Sequence, residues 1–114
     1  MYLVLSAVSL TLAAAVGFAP LRSLIKQLPA KLKFVWLHGG LALSGVVFII
    51  IHALTQPSDQ QPWLGFLITL ITALGGIGLF VLRRLKAPIP AGIALLHPLA
   101  GAVGLVLLYQ ELFK

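Results

Sequence analysis

Three histidines are the side chains of this 114-residue sequence that are best suited to chemistry. His38 and His52 stand near the two ends of the apolar stretch WLHGGLALSGVVFIIIHAL (36–54), and His97 lies in the stretch LLHPLAGAVG (95–104). No Asp or Glu occurs in the central part of any apolar stretch. Ionisable side chains are costly in an apolar environment, so we expect these imidazoles to be functional, with ligation of a metal through nitrogen as the chemistry open to them.

The composition indicates that these histidines belong to a membrane protein. Residues are 61% hydrophobic and 9% charged, with a mean hydropathy of +1.11, whereas soluble domains carry about 25% charged residues. Four apolar stretches are each close to the ~20 residues that cross a ~30 Å hydrocarbon core as a helix: 2–19, 34–54, 63–82 and 89–109. We predict an all-α fold, an integral membrane bundle of four transmembrane helices in which residues 1–114 form a single domain.

The basic residues predict the orientation of this bundle. Seven of the eight Lys and Arg lie in the first and third connections between the helices, and the middle connection TQPSDQQP (55–62) has none. The positive-inside bias makes the basic side cytoplasmic and places both termini outside. We therefore expect a multi-pass protein of the bacterial cytoplasmic (inner) membrane. The net charge of +6 then needs no nucleic-acid partner, and attraction to anionic headgroups makes membrane lipid the expected partner.

Helix geometry separates the three histidines by depth. Fourteen residues bring His52 to within about 40° of His38 on the helix wheel but about 21 Å along the helix axis, too far for both to bind one metal ion. The second and fourth helices run in the same direction. On a common scale His38 lies about 6 Å from the cytoplasmic boundary, His97 about 12 Å and His52 about 27 Å. We expect His97 to lie beside His38.

Two imidazoles at similar depth on different helices, with no carboxylate nearby, suit axial ligation of haem iron. The absence of cysteine excludes thiolate metal sites and covalently attached c-type haem, so a haem in this protein would be bound without a covalent link. Gly45 shares the face of His38, and Gly101 and Gly104 line up with His97, which predicts room for the flat macrocycle. The propionates would point toward cytoplasmic cations, namely Arg22, Lys26, Lys31, Lys33, Arg83 and Arg84.

The other two helices are predicted to serve helix packing. The first helix, with its AAAVG segment (13–17), is expected to be a packing partner without chemistry of its own. The GGIG segment (75–78) of the third helix is expected to serve ordinary small-residue helix packing. Pro98, directly after His97, predicts a kink in the fourth helix, since a proline cannot donate to the preceding turn.

The stretches LHGGLALSGVVFIIIHAL and LLHPLAGAVG resemble the haem-binding helices of membrane b-type cytochromes, including cytochrome b561-like proteins and the core of respiratory cytochrome b. Members of these families hold haem between histidines on four-helix bundles, and respiratory cytochrome b places two histidines fourteen positions apart on one helix. The resemblance covers the second and fourth helices. It implies that the cofactor is haem b and that the protein transfers electrons within the membrane, with quinol as a candidate donor. The chain departs from the usual four histidines for two haems, because it has three.

The third histidine leaves several alternatives open. A second copy in a parallel homodimer would place the two His52 side chains at equal depth, where they could share a haem across the axis. His52 could instead be a five-coordinate ligand, a quinol or proton contact, or an interfacial residue. The dimer could also build its haem sites from histidines of different protomers, so the number of haems per protomer stays open.

Two other classes of function compete with the cytochrome hypothesis. The first is a small non-enzymatic transporter or assembly protein whose histidines bind protons, haem, a metal ion or nothing. The second is a glutathione-using membrane enzyme, which would need basic and polar residues reaching into the bundle. Only Arg83 and Arg84, at a helix end, are available for that purpose, so this class is the less favoured.

Overall fold

The computed structural model describes residues 1–29 and 31–114, and it confirms the all-α class. The described residues form four long helices, each long and apolar enough to cross a membrane. A short 3-10 turn, Ser58–Gln60, lies between the second and third. The four helices are α1 (Tyr2–Ile25), α2 (Leu32–Thr55), α3 (Trp63–Arg84) and α4 (Ala91–Leu112).

Two of the differences between the observed and the predicted helix bounds occur at prolines. α1 continues six residues beyond the predicted end at Ala19, passing through Pro20, because a proline removes one backbone hydrogen bond without ending a helix that other contacts support. α4 likewise runs without interruption through Pro98. It begins two residues later than predicted, after Pro90, since the residue before a proline is disfavoured in the helical conformation.

The first and third helices end in the same backbone motif. Gln27 follows α1 and Lys86 follows α3, and both have φ of 55°. The next amide in each case bonds back to a carbonyl five residues earlier, Leu28 to Ser23 and Ala87 to Leu82. A left-handed residue with this longer hydrogen bond is the Schellman motif that ends many helices. It turns the chain sharply, so that each following helix returns antiparallel.

The bundle consists of two antiparallel hairpins. α1 packs chiefly against α2 and α3 against α4. The hairpins meet through a contact of α1 with α4 and a sparser contact of α2 with α3, so α2 and α4 lie diagonally across the bundle. The longest dimension is 44 Å, which exceeds the ~30 Å hydrocarbon core of a bilayer. We call the end that carries the connections after α1 and α3 the basic end, and the opposite end the terminal end.

The interior is small, and the apolar surface is large. A cluster of Leu3, Ile49 and Leu108 is buried at the terminal end, and the buried hydroxyl of Ser6 donates to the Gly45 carbonyl at 2.8 Å. Many large apolar side chains point outward instead, including Phe18, Leu54 and Leu74, which are 72%, 81% and 68% exposed. An apolar surface of this extent would be covered by lipid in a membrane.

Candidate functional site

The structure brings His38 and His97 together across the bundle. Their ring centroids are 6.0 Å apart and the rings are nearly perpendicular, at 85°. The two residues come from the diagonal helices α2 and α4, so their side chains meet in the space between the hairpins. His52, the third candidate, lies in the last turn of α2 at the terminal end and is not part of this pair.

The imidazole of His38 is held by α1. Its Nδ1 lies 2.7 Å from the carbonyl oxygen of Ala13. A carbonyl oxygen only accepts hydrogen bonds, so Nδ1 donates its proton and Nε2 retains a free lone pair. Gly17 lies one turn further along α1, and a Cβ at that position would be 2.9 Å from the Cε1 and Nδ1 atoms of His38. The ring occupies the space that a side chain at Gly17 would fill.

The imidazole of His97 is held by α3 in the same manner. Its Nδ1 donates to the carbonyl oxygen of Thr72 at 3.1 Å. A Cβ on Gly76, one turn beyond Thr72, would lie 2.8 Å from Cε1 of His97. Both imidazoles are therefore fixed in the tautomer that leaves Nε2 available.

This arrangement has the chemistry of a metal-ligand pair. Metal-ligating histidines characteristically donate their second ring N–H to a carbonyl or carboxylate, which fixes the tautomer and the ring direction. A metal–nitrogen bond of about 2 Å, with the nitrogen about 1 Å from the ring centroid, places the centroids of two opposed imidazoles about 6 Å apart. The observed separation of 6.0 Å matches that value.

The pair alone provides only two protein ligands. Within residues 1–29 and 31–114, no group of three or more His, Cys, Asp or Glu side chains could hold a metal ion. Protein zinc sites, by comparison, use three or four protein ligands. Two imidazoles would suit an ion whose remaining positions are filled by a flat macrocycle, as in haem.

The glycines predicted to make room for the macrocycle lie in the contacts within each hairpin. A Cβ on Gly45 would be 2.6 Å from Leu10 of α1, and one on Gly104 would be 3.0 Å from the hydroxyl of Thr69 in α3. A Cβ on Gly101 would be 3.4 Å from the Cγ2 atom of Thr72. Side chains of α1 and α3 therefore occupy the grooves beside these three glycines, which serve close helix packing.

The predicted cations lie at the basic end, where a cleft of about 210 Å³ separates α2 from α3. The cleft is next to the histidine pair, because Val35 precedes His38 by one turn and Phe80 follows Gly76 by one turn. Its volume is below the about 300–1,000 Å³ of ordinary ligand pockets. The lining consists of Leu32, Val35, Phe80, Arg83, Arg84 and Lys86.

The arginines differ in what they contact. Arg83 donates to the carbonyl oxygens of Pro20, at 3.5 Å, and Leu28, at 3.3 Å, and so ties the second hairpin to the first. Arg84 is exposed at the cleft. Arg22 lies in the last turn of α1, at the same end of the bundle.

His52 has a different environment. Its Nε2 is buried and has no hydrogen-bond partner in the described part of the chain. A buried nitrogen without a partner is uncommon in native proteins. The residue therefore differs from His38 and His97, whose Nδ1 atoms both donate to a neighbouring helix.

Sequence reasoning missed the residues that hold the imidazoles. α1 was expected to have no chemistry of its own, yet it supplies the Ala13 carbonyl and Gly17. The GGIG segment of α3 was expected to serve helix packing, yet Gly76 accommodates the ring of His97. The signal was present as a spacing, because each paired histidine follows a glycine by 21 residues.

Comparison of the chain with family models, curated proteins and solved structures finds no match.

Proposed function

We propose that the protein is a membrane b-type cytochrome in which His38 and His97 are the two axial ligands of one haem. The observation that carries the proposal is the pair of rings 6.0 Å apart, each with Nδ1 donating to a backbone carbonyl. This combination supplies two neutral imidazoles whose centroid separation is close to the about 6 Å expected for a pair that shares one iron.

The chain's own residues would bind, orient and shield the cofactor. The carbonyls of Ala13 and Thr72 hold the rings in the tautomer that binds iron through Nε2, and Gly17 and Gly76 let the rings approach α1 and α3. The surrounding apolar helices would exclude water. Haem bound in this way supplies one-electron transfer at its iron, with a potential set by the ligands and by burial.

Because α2 and α3 contact each other only sparsely, we infer that the macrocycle enters between these two helices. The cleft between them is smaller than an ordinary ligand pocket, so we infer that α2 and α3 move apart when haem binds. Arg84 and Lys86 line the cleft and are exposed, and they could pair with the propionates. Arg83 also lines the cleft, but its guanidinium already donates to two backbone carbonyls.

We place this cytochrome in the bacterial cytoplasmic membrane. All four helices would span the bilayer, with the basic end on the cytoplasmic side and both termini outside, as the positive-inside bias requires. Lipid would cover the exposed apolar surface. Electron transfer within the membrane, with a quinol as candidate donor, is the activity that we propose. A parallel homodimer that joins two His52 side chains is a separate proposal, since the His38–His97 pair lies within one chain.

An absorption spectrum tests the proposal. The protein is produced with an adequate supply of haem, purified in detergent and measured before and after reduction with dithionite. We expect a sharp Soret band, with α and β bands on reduction. A colourless protein that also takes up no added haem would overturn the proposal.

Three alanine variants assign the ligands. His38→Ala and His97→Ala should each remove the low-spin signal, because each leaves iron with a single axial nitrogen. His52→Ala is the matched control, since it removes the histidine of the same chain that lies outside the pair. Retention of the signal in both His38→Ala and His97→Ala would contradict the assignment.

A further inference from the structure

The two hairpins repeat the same construction at a constant offset. The carbonyl and the glycine that hold His38 have counterparts 59 residues later that hold His97. In both hairpins the histidine bonds to a carbonyl 25 residues earlier and packs on a glycine 21 residues earlier. The corresponding pairs are Ala13 and Thr72, Gly17 and Gly76, and His38 and His97.

The helix ends follow the same offset. Gln27 and Lys86, the two residues with φ of 55°, are 59 positions apart. The three backbone hydrogen bonds around each of them also correspond one to one. In the first unit the amides of residues 26, 27 and 28 donate to the carbonyls of residues 22, 24 and 23, respectively. In the second unit the amides of residues 85, 86 and 87 donate to the carbonyls of residues 81, 83 and 82.

The packing residues agree as well. Ile49 and Leu108, two of the largest fully buried side chains, occupy corresponding positions. Gly45 and Gly104 correspond too, and each lies where the two helices of its own hairpin approach closely. Residues 1–55 align with 60–114 without a gap. Further identical pairs outside the site are Leu5 and Leu64, Ala14 and Ala73, Pro29 and Pro88, Leu37 and Leu96, and Val47 and Val106.

We infer that the chain is a tandem duplication of one two-helix unit, and that Gly17 and Gly76 are equivalent positioning residues for the two imidazoles. Corresponding helices run in the same direction, so the units are related by an approximate two-fold axis along the bundle, as in parallel repeats of membrane proteins. The ligand would be bound between the units, with one histidine from each, and the site is complete within one chain. The duplication stands on its own, whereas the haem named as the ligand rests on the proposed function.

The third histidine lies outside this repeated arrangement. The position that corresponds to His52 is Glu111, whose carboxylate is 2.7 Å from the ammonium group of Lys114. Only one unit therefore has an imidazole at the terminal end. The duplication predicts that His38 and His97 respond alike to equivalent changes, and that His52 does not respond.

The glycines act through the space they leave. An alanine methyl at Gly17 or Gly76 would lie less than 3.0 Å from an imidazole atom. The imidazole is the end of a rotatable side chain, so it can swing aside while the helices stay in place. Such a movement breaks the hydrogen bond from Nδ1 and turns the imidazole out of its present orientation. We therefore expect Gly17→Ala and Gly76→Ala to fold and to lose ligand positioning.

Two control variants lie beside these positions. Gly78 is on the same helix as Gly76, a Cβ there has no atom within 4 Å, and the corresponding residue of the first unit is already Ala19. Gly39 follows His38 directly, and a Cβ there also meets nothing within 4 Å. Gly78→Ala and Gly39→Ala should therefore behave as the wild-type protein does.

The experiment measures ligand binding and imidazole state separately. Haem affinity is titrated by absorption for the wild-type protein and the four variants. We expect a loss of about 10- to 100-fold, the range for removing an orienting contact of a metal ligand, in both Gly17→Ala and Gly76→Ala and in neither control. Circular dichroism and elution volume should show that all four variants remain folded.

The second measurement needs no haem. In haem-free protein with ¹⁵N-labelled histidine, His38 and His97 should both show the Nδ1–H tautomer by NMR, assigned with the single His→Ala variants. Gly17→Ala should move the signal of His38 more than that of His97, and Gly76→Ala the reverse, with His52 unchanged in both.

The outcomes separate the two proposals. Matching NMR responses in a protein that binds no haem would support the duplicated arrangement and overturn the cytochrome. Normal haem affinity and unchanged signals in both Gly17→Ala and Gly76→Ala would overturn the positioning role and leave the cytochrome intact. A clear effect in only one of the two variants would overturn their equivalence.

Discussion

His38 and His97 lie with their ring centroids 6.0 Å apart, although 59 residues separate them along the chain. Neither ring depends on the other for its orientation, because each Nδ1 donates to a carbonyl of its own hairpin. Pre-oriented ligands lose little freedom on binding, which favours affinity. The pair is therefore organised before any ligand is present.

Replacing one ligand by methionine should change the potential without removing haem. His97→Met keeps a donor atom for iron but exchanges an imidazole for a thioether, and Met/His ligation raises the potential relative to bis-histidine ligation. A spectroelectrochemical titration should give a midpoint more positive than that of the wild type. His52→Met is the control and should leave the midpoint where it was. A more negative midpoint for His97→Met would contradict axial ligation by this residue.

Haem binding should increase the distance between α2 and α3 and leave the distance between α1 and α4 unchanged. The chain has no cysteine, so spin labels can be placed without background, at Leu43→Cys and Ile71→Cys on α2 and α3. Both side chains are exposed. We expect a longer label distance by pulsed EPR after haem is added. Labels at Leu12→Cys and Val106→Cys, on α1 and α4, should keep their distance. No change in the first pair would mean that haem does not enter between α2 and α3.

Loss of the hydroxyl at Ser6 should weaken the first hairpin. Ser6 is fully buried and donates to the Gly45 carbonyl on the neighbouring helix, and hydrogen bonds between membrane helices average about 0.6 kcal/mol, with a maximum near 1.7. Ser6→Ala should lower the free energy of unfolding by an amount in this range, measured by denaturant titration in detergent. Ser44→Ala should have a smaller effect, since that exposed hydroxyl bonds within its own helix. Equal effects of both variants would argue against the interhelical contribution.

Glycine at the two left-handed positions should stabilise the protein. Gln27 and Lys86 both have φ of 55°, a conformation that costs a residue with a Cβ about 1–2 kcal/mol and glycine almost nothing. Glycine also gains freedom in the unfolded chain, so the net gain for Gln27→Gly or Lys86→Gly should be about 0.5–1 kcal/mol. Thermal unfolding in detergent should show similar increases for the two variants.

The control for this pair is one residue away. Lys26 has φ of −83°, so Lys26→Gly has no strain to relieve and should destabilise through the entropy of the unfolded chain. Stabilisation by Lys26→Gly equal to that by Gln27→Gly would show that the left-handed conformation is not the cause.

The sequence predicts the helices well because their length and apolar character follow from the membrane. It also predicts that His97 lies near His38, since rise per residue and helix direction are enough to rank depths. It does not predict which carbonyl or glycine each ring meets, because these contacts depend on how α1 and α3 are rotated in the bundle, which the sequence of an apolar helix does not specify. Pro20 misled the predicted end of α1, since packing with neighbouring helices supports a chain that has lost one hydrogen bond. α4 continues through Pro98, and the kink expected there stays a prediction.

The corresponding positions around the two imidazoles are not all identical. Ala13 has no polar side chain, whereas Thr72 has a hydroxyl that donates to the Ile68 carbonyl at 2.8 Å. The residue after the histidine is Gly39 in one unit and Pro98 in the other. A dimer of identical hairpins would present the same surroundings to both faces of a ligand on its axis. Joining the two copies in one chain allows the surroundings of the two faces of that ligand to differ in polarity and stiffness. The two faces of the cofactor would then be inequivalent.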